Sequence, residues 1–546
     1  MGTKNFSNAN DLITFSRASG GTALRKVAYG SELVTNGDFS TDSDWTKGTS
    51  AVIADGYLEQ PSAPTGPSAY SYQVVPTAAG KVYRVSFDVL QGGFFLGVWT
   101  TAPVTGALVT SATYLAGSHE LYFVADDSSA SISFDANVGN GRIDNISVKE
   151  VLFDDASGDL TLLNHPAGIP RIEYDADGNV LGLLVEESRT NLLPYSEDFS
   201  QWSTFDPANF TINYAEAPDG TQEATRFNPE FVTDPGSSAR TLRIYDNINS
   251  TAGDVVTFSV FVKPVQSSSL YVDDPDRPDE DRDLLVCLNA DQSSGTSYWN
   301  LKTKTWELIE SGHTAFQEEY PNGWYRVGIT YTVASNDANN NHFISFANRT
   351  GQPNFDPYPS GQEDAYIWGA QAEAGAFPTS YIPTAGATAT RSADVASIPV
   401  ADFGYNLSEG TVVVEGTQYE SSNSISRFVE LYGGGTGSGG YLSLGVYQDS
   451  SWIETYNGDV LNLYDVKVSG ERQKMASGFD SSGNTFCGDG NILGTPSTSS
   501  LVNPSSVSLL YVGVHWAGIQ QLNGHIKSIK YFPRKLTNAQ LQELTT

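Results

Sequence analysis

Only two cysteines and two methionines occur in 546 residues, and 30 basic residues face 63 acidic ones. Cys287 and Cys487 fall in segments assigned below to different domains, so no disulfide framework is expected and both read as free thiols. A net charge of −33 without any local basic cluster argues against nucleic acid as a partner, because phosphate binding needs grouped Lys and Arg. The same charge suits a solvated surface that keeps a large assembly soluble. No stretch approaches 18 apolar residues, so no membrane insertion is expected, and the opening MGTKNFSNANDLITF lacks the apolar region of a signal peptide. Helical periodicity is scarce as well. Among catalytic signatures, HExxH, GxSxG and the P-loop are all absent, and the six histidines are dispersed.

What the chain has instead is turn residues and alternation. Gly numbers 52 and Pro 25, with 12% aromatic residues, a globular and turn-rich composition. The length exceeds what one hydrophobic core serves. Residues 1–30 contain LITFSRASGGTALRKVAYG, an alternation broken by Gly-Gly. Residues 31–151 hold the short alternating runs YSYQVV, KVYRVSFDVL, FFLGVW, HELYFVA, SASISFDA and RIDNISVKEV, which predict an antiparallel two-sheet sandwich. Residues 152–194 are a connector ending in VLGLLVEESRTNLL, whose apolar start suits a strand that joins a neighbouring domain.

The alternating pattern returns over 195–386 with VVTFSVFVKP, LLVCLNA, TSYWNLKTKTWELI, GWYRVGITYTV and AYIWGAQAEAG. A third β-rich unit covers 387–546 and ends in the one clear helix signal, LTNAQLQELT, where Thr537 and Gln540 form a capping box and Leu536 can pack on Leu541. The starts NGDFSTDSDW (36–45) and YSEDFSQW (195–202) share Asp-Phe-Ser followed by Trp, so the chain reads as a tandem array. The fold class expected is all-β: tandem antiparallel β-sandwiches with a short C-terminal helix.

The strings ITFSRASG, PRIEYDADGNVLGLLVEESRTNLLPYSEDFSQW, GWYRVGITYTV, YIWGAQAEAGAFPTSYIPT and TRSADVASI closely resemble a module recurrent in structural proteins of tailed phages, over roughly 12–29 and 165–400. In that module the FSRAS stretch leads almost directly into PRxxYD. Here about 150 residues intervene, so 31–151 reads as an insertion and residues 1–30 should join 152–194 in one composite attachment region. The inserted unit resembles a jelly-roll carbohydrate-binding module through ELVTNGDFS and IDNISVKEV. Residues 195–386 are read as a second jelly-roll-like domain. The C-terminal unit resembles a concanavalin A/laminin-G-like sandwich through GHIKSIKYFPRKLTNAQLQEL, without the ExDxxE strand motif of the laminarinase-like enzymes of that fold.

These resemblances imply a homo-oligomeric fibre or spike on the head or tail of a virion. It would be assembled with other virion proteins in the host cytoplasm, released by lysis and attached to host surface polysaccharide. A polysaccharide depolymerase and a purely structural joining protein stay open as alternatives. A glycosidase needs two carboxylates flanking the scissile bond, and no pair stands out here, so the chain is read as a non-enzyme.

A sugar site needs exposed aromatic faces with polar rims. The candidates are Tyr70, Tyr72 and Trp99 in the first unit, Tyr298, Trp299 and Trp306 in the second, and Trp452 and Tyr456 in the third; each also suits packing in a sandwich or at an interface. Trp45, Trp202, Trp324 and Trp368 read as core. Carbohydrate modules of the jelly-roll type carry a structural calcium between first and last strands, and Asp38 and Asp144 occupy comparable positions. Hard oxygen ligands suit that ion, although two carboxylates alone do not specify it. The acidic run 273–283 lacks EF-hand spacing and reads as a solvated loop.

Overall fold

The computed structural model describes residues 13–61, 69–102, 104–204, 210–227, 242–265, 285–289, 295–334, 341–347, 364–419, 425–433, 441–447, 450–455, 459–466, 471–497 and 504–546. The acidic run 273–283 lies outside them. The chain is all-β apart from short 3-10 turns and one α-helix among the described residues. It divides into two compact units, Arg25–Leu160 and a discontinuous one made of Met1–Leu24 with Thr161–Thr546.

Three long antiparallel strands dominate the unit Arg25–Leu160: Val82–Thr101, Thr105–Val124 and Ser129–Phe153. The sequence reading had split them. KVYRVSFDVL and FFLGVW belong to one strand, as do SASISFDA and RIDNISVKEV, because the intervening Gly and Asn residues make bulges rather than turns. The register slips between Val89 and Gln91 and again between Gln91 and Gly93. Gly92 there has φ +71°, and a Cβ on it would meet Val138 O at 2.7 Å, so the close strand approach requires glycine. Bulges bend and twist a strand. One continuous hydrogen-bonded sheet therefore takes the place of the two expected sheets and surrounds a core that includes Phe39, Trp45, Phe94, Phe134 and Ile143.

The other unit contains two sandwiches. In the first, a six-stranded sheet whose centre is Asn341–Ala347 faces a six-stranded sheet whose centre is Val255–Val265 and Asp364–Ala374. Val260, Trp299, Val327, Ile344 and Ile367 fill the space between. Burying both apolar faces in this way follows from the alternation of each strand. The second sandwich has two seven-stranded sheets. Strand Thr14–Ser16 forms an edge of one by pairing with Val395–Pro399, and Val180–Val185 joins the other beside Gly524–Phe532. The helix Asn538–Thr545 carries the complete Thr537–Gln540 capping box, and Leu541 packs with Val413, Ala476, Cys487 and Leu536. Both cysteines are buried and unpaired.

A buried ionic network ties these pieces together. Asp394 accepts from Arg17 Nη1 at 3.2 Å, Arg171 Nη2 at 2.5 Å and the Glu186 amide at 2.9 Å. Glu186 pairs in turn with Arg171 at 2.8 Å and Arg391 at 3.6 Å. Arg17 also donates to the carbonyls of Pro166 at 3.0 Å and Ile169 at 3.3 Å. Burial, outweighed by Arg391 and Arg171, leaves the Glu186 carboxyl well below the usual range. Burial and neighbouring Arg171 bring Arg17 down to about 10, against the pull of Asp394. The strings FSRAS, PRIEYD, VEES and TRSAD, hundreds of residues apart, thus meet at one charge cluster.

Candidate functional site

The sheet of unit Arg25–Leu160 brings two of the first-unit candidates, Tyr72 and Trp99, onto one face. Tyr72 lies opposite Ser133, which lies opposite Gly97; Ser131 lies opposite Trp99. Side chains two apart on a strand share a face, and a 3.1 Å contact between the Ser131 and Ser133 hydroxyls shows that they do. Tyr72 and Trp99 therefore occupy adjacent rows of the same surface, and both are half-buried. Asp135, two residues beyond Ser133, belongs to that face with its neighbour Phe95.

Two fully buried residues, Gln60 and Ser71, connect to Asp135 from within the fold. Gln60 Nε2 donates to Asp135 Oδ1 at 2.7 Å, and Ser71 Oγ donates to Gln60 Oε1 at 2.9 Å. Burial, opposed by the Gln60 hydrogen bond, pushes Asp135 up to about 6. Burial and the Asp135 charge together raise Tyr70. The indole N–H of Trp99 is buried and has no hydrogen-bond partner among the described residues, and an unmade buried bond costs about 1–3 kcal/mol. Aromatic faces and a carboxyl acceptor are elements that a pyranose ring and its hydroxyls require.

Asp135 and Gln60 were missed in the sequence, although the alternation of SASISFDA puts Ser131, Ser133 and Asp135 on one side; attention to aromatics alone passed over them.

The remaining candidates fare differently. Tyr298 and Trp299 are buried, 3% and 0% exposed, and Trp299 Nε1 donates inward to Gln317 at 3.0 Å. Neither ring can stack on a sugar; both are packing residues, because the strand Thr296–Asn300 runs inside a sheet between two neighbours. Trp306 is half-buried against the same core and donates to Phe316 O at 3.3 Å. Trp452 stands in strand Ser450–Thr455 opposite Gly445, its side chain outside the described set, and Tyr456 lies outside the described residues. Trp45, Trp202, Trp324 and Trp368 are all buried. A surface aromatic absent from the candidates is Trp516, 42% exposed and stacked on Tyr432 at 5.1 Å between centroids.

Asp38 and Asp144 do lie near each other: burial, then the charges of Asp88 and Asp38, raise Asp144. Their oxygens are engaged locally, Asp38 Oδ1 with the Ser40 amide at 3.2 Å and Asp144 Oδ1 with the Asn145 amide at 2.7 Å. Asp88 accepts from Ser118 at 2.6 Å and Asn145 Nδ2 at 2.8 Å. Among the described residues no group of three or more His, Cys, Asp or Glu is placed to hold a metal ion.

No protein-family model and no curated protein matches the chain. Among solved structures, it is similar to a Ruminococcus gnavus IT-sialidase CBM40 bound to α2,3-sialyllactose, with 16% identity over 27% of this chain and 87% of that one and a TM-score of 0.24. It is similar to a CBM4 structure at 15% identity over 21% and 99% of the two chains, TM-score 0.18. The CBM22-1–CBM22-2 tandem domain from Paenibacillus barcinonensis Xyn10C gives 8% identity over 64% and 99%, TM-score 0.22. Similarity at this level says nothing about the ligand of the present chain.

Proposed function

We propose that this chain is a fibre or spike protein of a phage virion that attaches to host surface polysaccharide, and that the face bearing Tyr72, Trp99 and Asp135 is its sugar contact. The observation that carries the glycan part is the convergence of the half-buried Tyr72 and Trp99 with the Asp135 carboxyl on one sheet surface. The virion part is supported by the resemblance of the long strings, whose residues meet in the ionic network around Asp394. Several copies in a homo-oligomer, joined to other virion proteins, would multiply weak single contacts through effective concentration.

The test is retention of the purified chain on host cells and on a glycan array, compared with Tyr72→Ala and Trp99→Ala. Retention by the parent chain that both variants lose supports the reading. No retention of the parent chain turns it into a joining or spacer protein. Antibody-labelled electron microscopy of virions tests the location. A second reading, an appendage-borne depolymerase, is favoured by Asp135, since a carboxyl raised to about 6 suits a general acid. Release of reducing ends from host polysaccharide would replace adhesion by hydrolysis.

A further inference from the structure

A cavity of about 340 Å³ opens in the unit formed by Met1–Leu24 and Thr161–Thr546, a size typical of small-molecule sites. Its walls come from the turn after strand Arg171–Tyr174, the end of strand Thr314–Tyr320, the segment Phe377 to Ser380, Tyr419 and the start of strand Gly524–Phe532. Tyr320 and Tyr419 supply ring surface, and Tyr419 meets His525 edge to face with 5.4 Å between centroids.

The lining is strongly acidic. Glu173, Asp175, Asp177, Glu318 and Glu319 face the space, together with Glu186, whose charge Arg171 and Arg391 already balance. Against them stand Arg326 and His525. Arg326 is only loosely paired with Glu318, at 3.8 Å, and the Glu318 side chain stays 45% exposed. The enclosing walls, more than the charges of Glu173 and Glu186, raise Glu318 against the opposing charge of Arg326.

Two buried nitrogens await partners. Arg326 gives Nε to Ser259 Oγ at 3.2 Å and Nη1 to Thr379 O at 2.6 Å, yet Nη2 has no partner among the described residues although the residue is 1% exposed. His525 holds Glu173 Oε2 through Nε2 at 2.6 Å, while Nδ1, in a residue 2% exposed, has no partner among the described residues. Native proteins rarely leave such atoms unsatisfied without a functional reason.

An anionic sugar would be repelled by this lining. A metal ion is disfavoured, since the described carboxylates do not assemble as a ligand group. A ligand that combines a positive charge with hydroxyl groups answers both the excess negative charge and the unpartnered nitrogens. We propose that the cavity binds a saccharide bearing a free amino group, its ammonium at Glu318 and its hydroxyls toward Arg326 and His525. The inference rests on the glycan-binding reading for its ligand class but concerns a separate site.

The test is calorimetric titration of the full chain at pH 7 with glucosamine, N-acetylglucosamine and glucuronate, on the parent chain and on Glu318→Gln, Tyr419→Ala and, as a control, Tyr72→Ala. Glucosamine should bind, with N-acetylglucosamine and glucuronate much weaker. Loss of a charge-assisted bond in Glu318→Gln should weaken glucosamine about tenfold or more. The half-exposed Tyr419 gives a second variant that leaves the buried framework intact, and it too should weaken binding; Tyr72→Ala should not. Equal binding of N-acetylglucosamine, absence of glucosamine binding, or loss in Tyr72→Ala alone would overturn the proposal. If cells and array fail to retain the chain while glucosamine still binds, the adhesion reading falls and the cavity stands.

Discussion

The indole N–H of Trp202 donates to the carbonyl of Tyr195 at 2.7 Å, and Trp45 makes the same bond to Asn36 at 3.0 Å. A second bond repeats as well: Ile146 N reaches Gly37 O at 2.9 Å, and Ala370 N reaches Ser196 O at 2.8 Å. The residue just before each donor is left-handed, Asn145 at φ 54° and Gly369 at φ 62°. Opening segment, tryptophan and last strand are thus joined alike in two domains whose sequences share little beyond Asp-Phe-Ser and Trp. Replacing Trp202 or Trp45 by Phe should keep most of the buried area but strand a carbonyl. Each change should cost about 1–3 kcal/mol, read as a lower urea midpoint at unchanged slope.

Asp394 is the hub of three cationic and two anionic side chains. Asp394→Asn removes the charge that offsets Arg17 and Arg171. Breaking a buried pair from one side leaves an uncompensated charge and costs about 3–5 kcal/mol. Chemical denaturation should show that loss, and a double-mutant cycle with Arg17→Met should recover part of it.

Glu197 carries a pH dependence of defined sign. Burial, then Asp219 and Glu223, push its carboxyl up to about 8, and a hydrogen bond from Tyr381 does not reverse this. The folded chain therefore holds a proton that the unfolded chain releases near the ordinary carboxyl value. Stability should fall as pH rises from about 4.5 to about 8. Glu197→Gln imitates the protonated form, so thermal melts of that variant should lose this part of the decline. A parallel decline in both proteins would refute the assignment.

Sugar retention by the first-unit face should depend on Asp135. With its carboxyl near 6, the ionised acceptor is present above that pH and disappears below it. Retention on the array should weaken as pH drops from 7 to 5, and Asp135→Asn should be weak and flat across the same range.

Calcium at Asp38 and Asp144 is tested by ion removal. If the ion binds there, added calcium should raise the melting temperature over that in chelator, because a ligand that binds only the folded form stabilises it; Asp144→Asn should abolish the difference. Identical melts would dismiss the site.

Much of this architecture could be read locally. Alternation announced strands, and the Thr537–Gln540 pair announced the C-terminal helix, because both signals depend on residues within a few positions of one another. The four tryptophans read as core are buried, although Trp45 and Trp202 lie outside the strands. Trp299 and Tyr298 escaped this reading, since TSYWN is a strand whose residues are nearly all buried, and such a run has no polar side to mark its inward face.

The amino-acid sequence by itself determined the all-β class, the tandem starts at 36–45 and 195–202, and the acidic surface, because these follow from composition and short-range pattern. Only the tertiary structure decided that Gly92 bends one sheet over its core, that Tyr72, Trp99 and Asp135 share a face, and that Arg17, Arg171, Glu186, Arg391 and Asp394 share one buried cluster. Register and burial are long-range properties. A pairing between residues up to hundreds of positions apart is set by how bulges and sheet twist close the whole chain, and no local stretch carries that information.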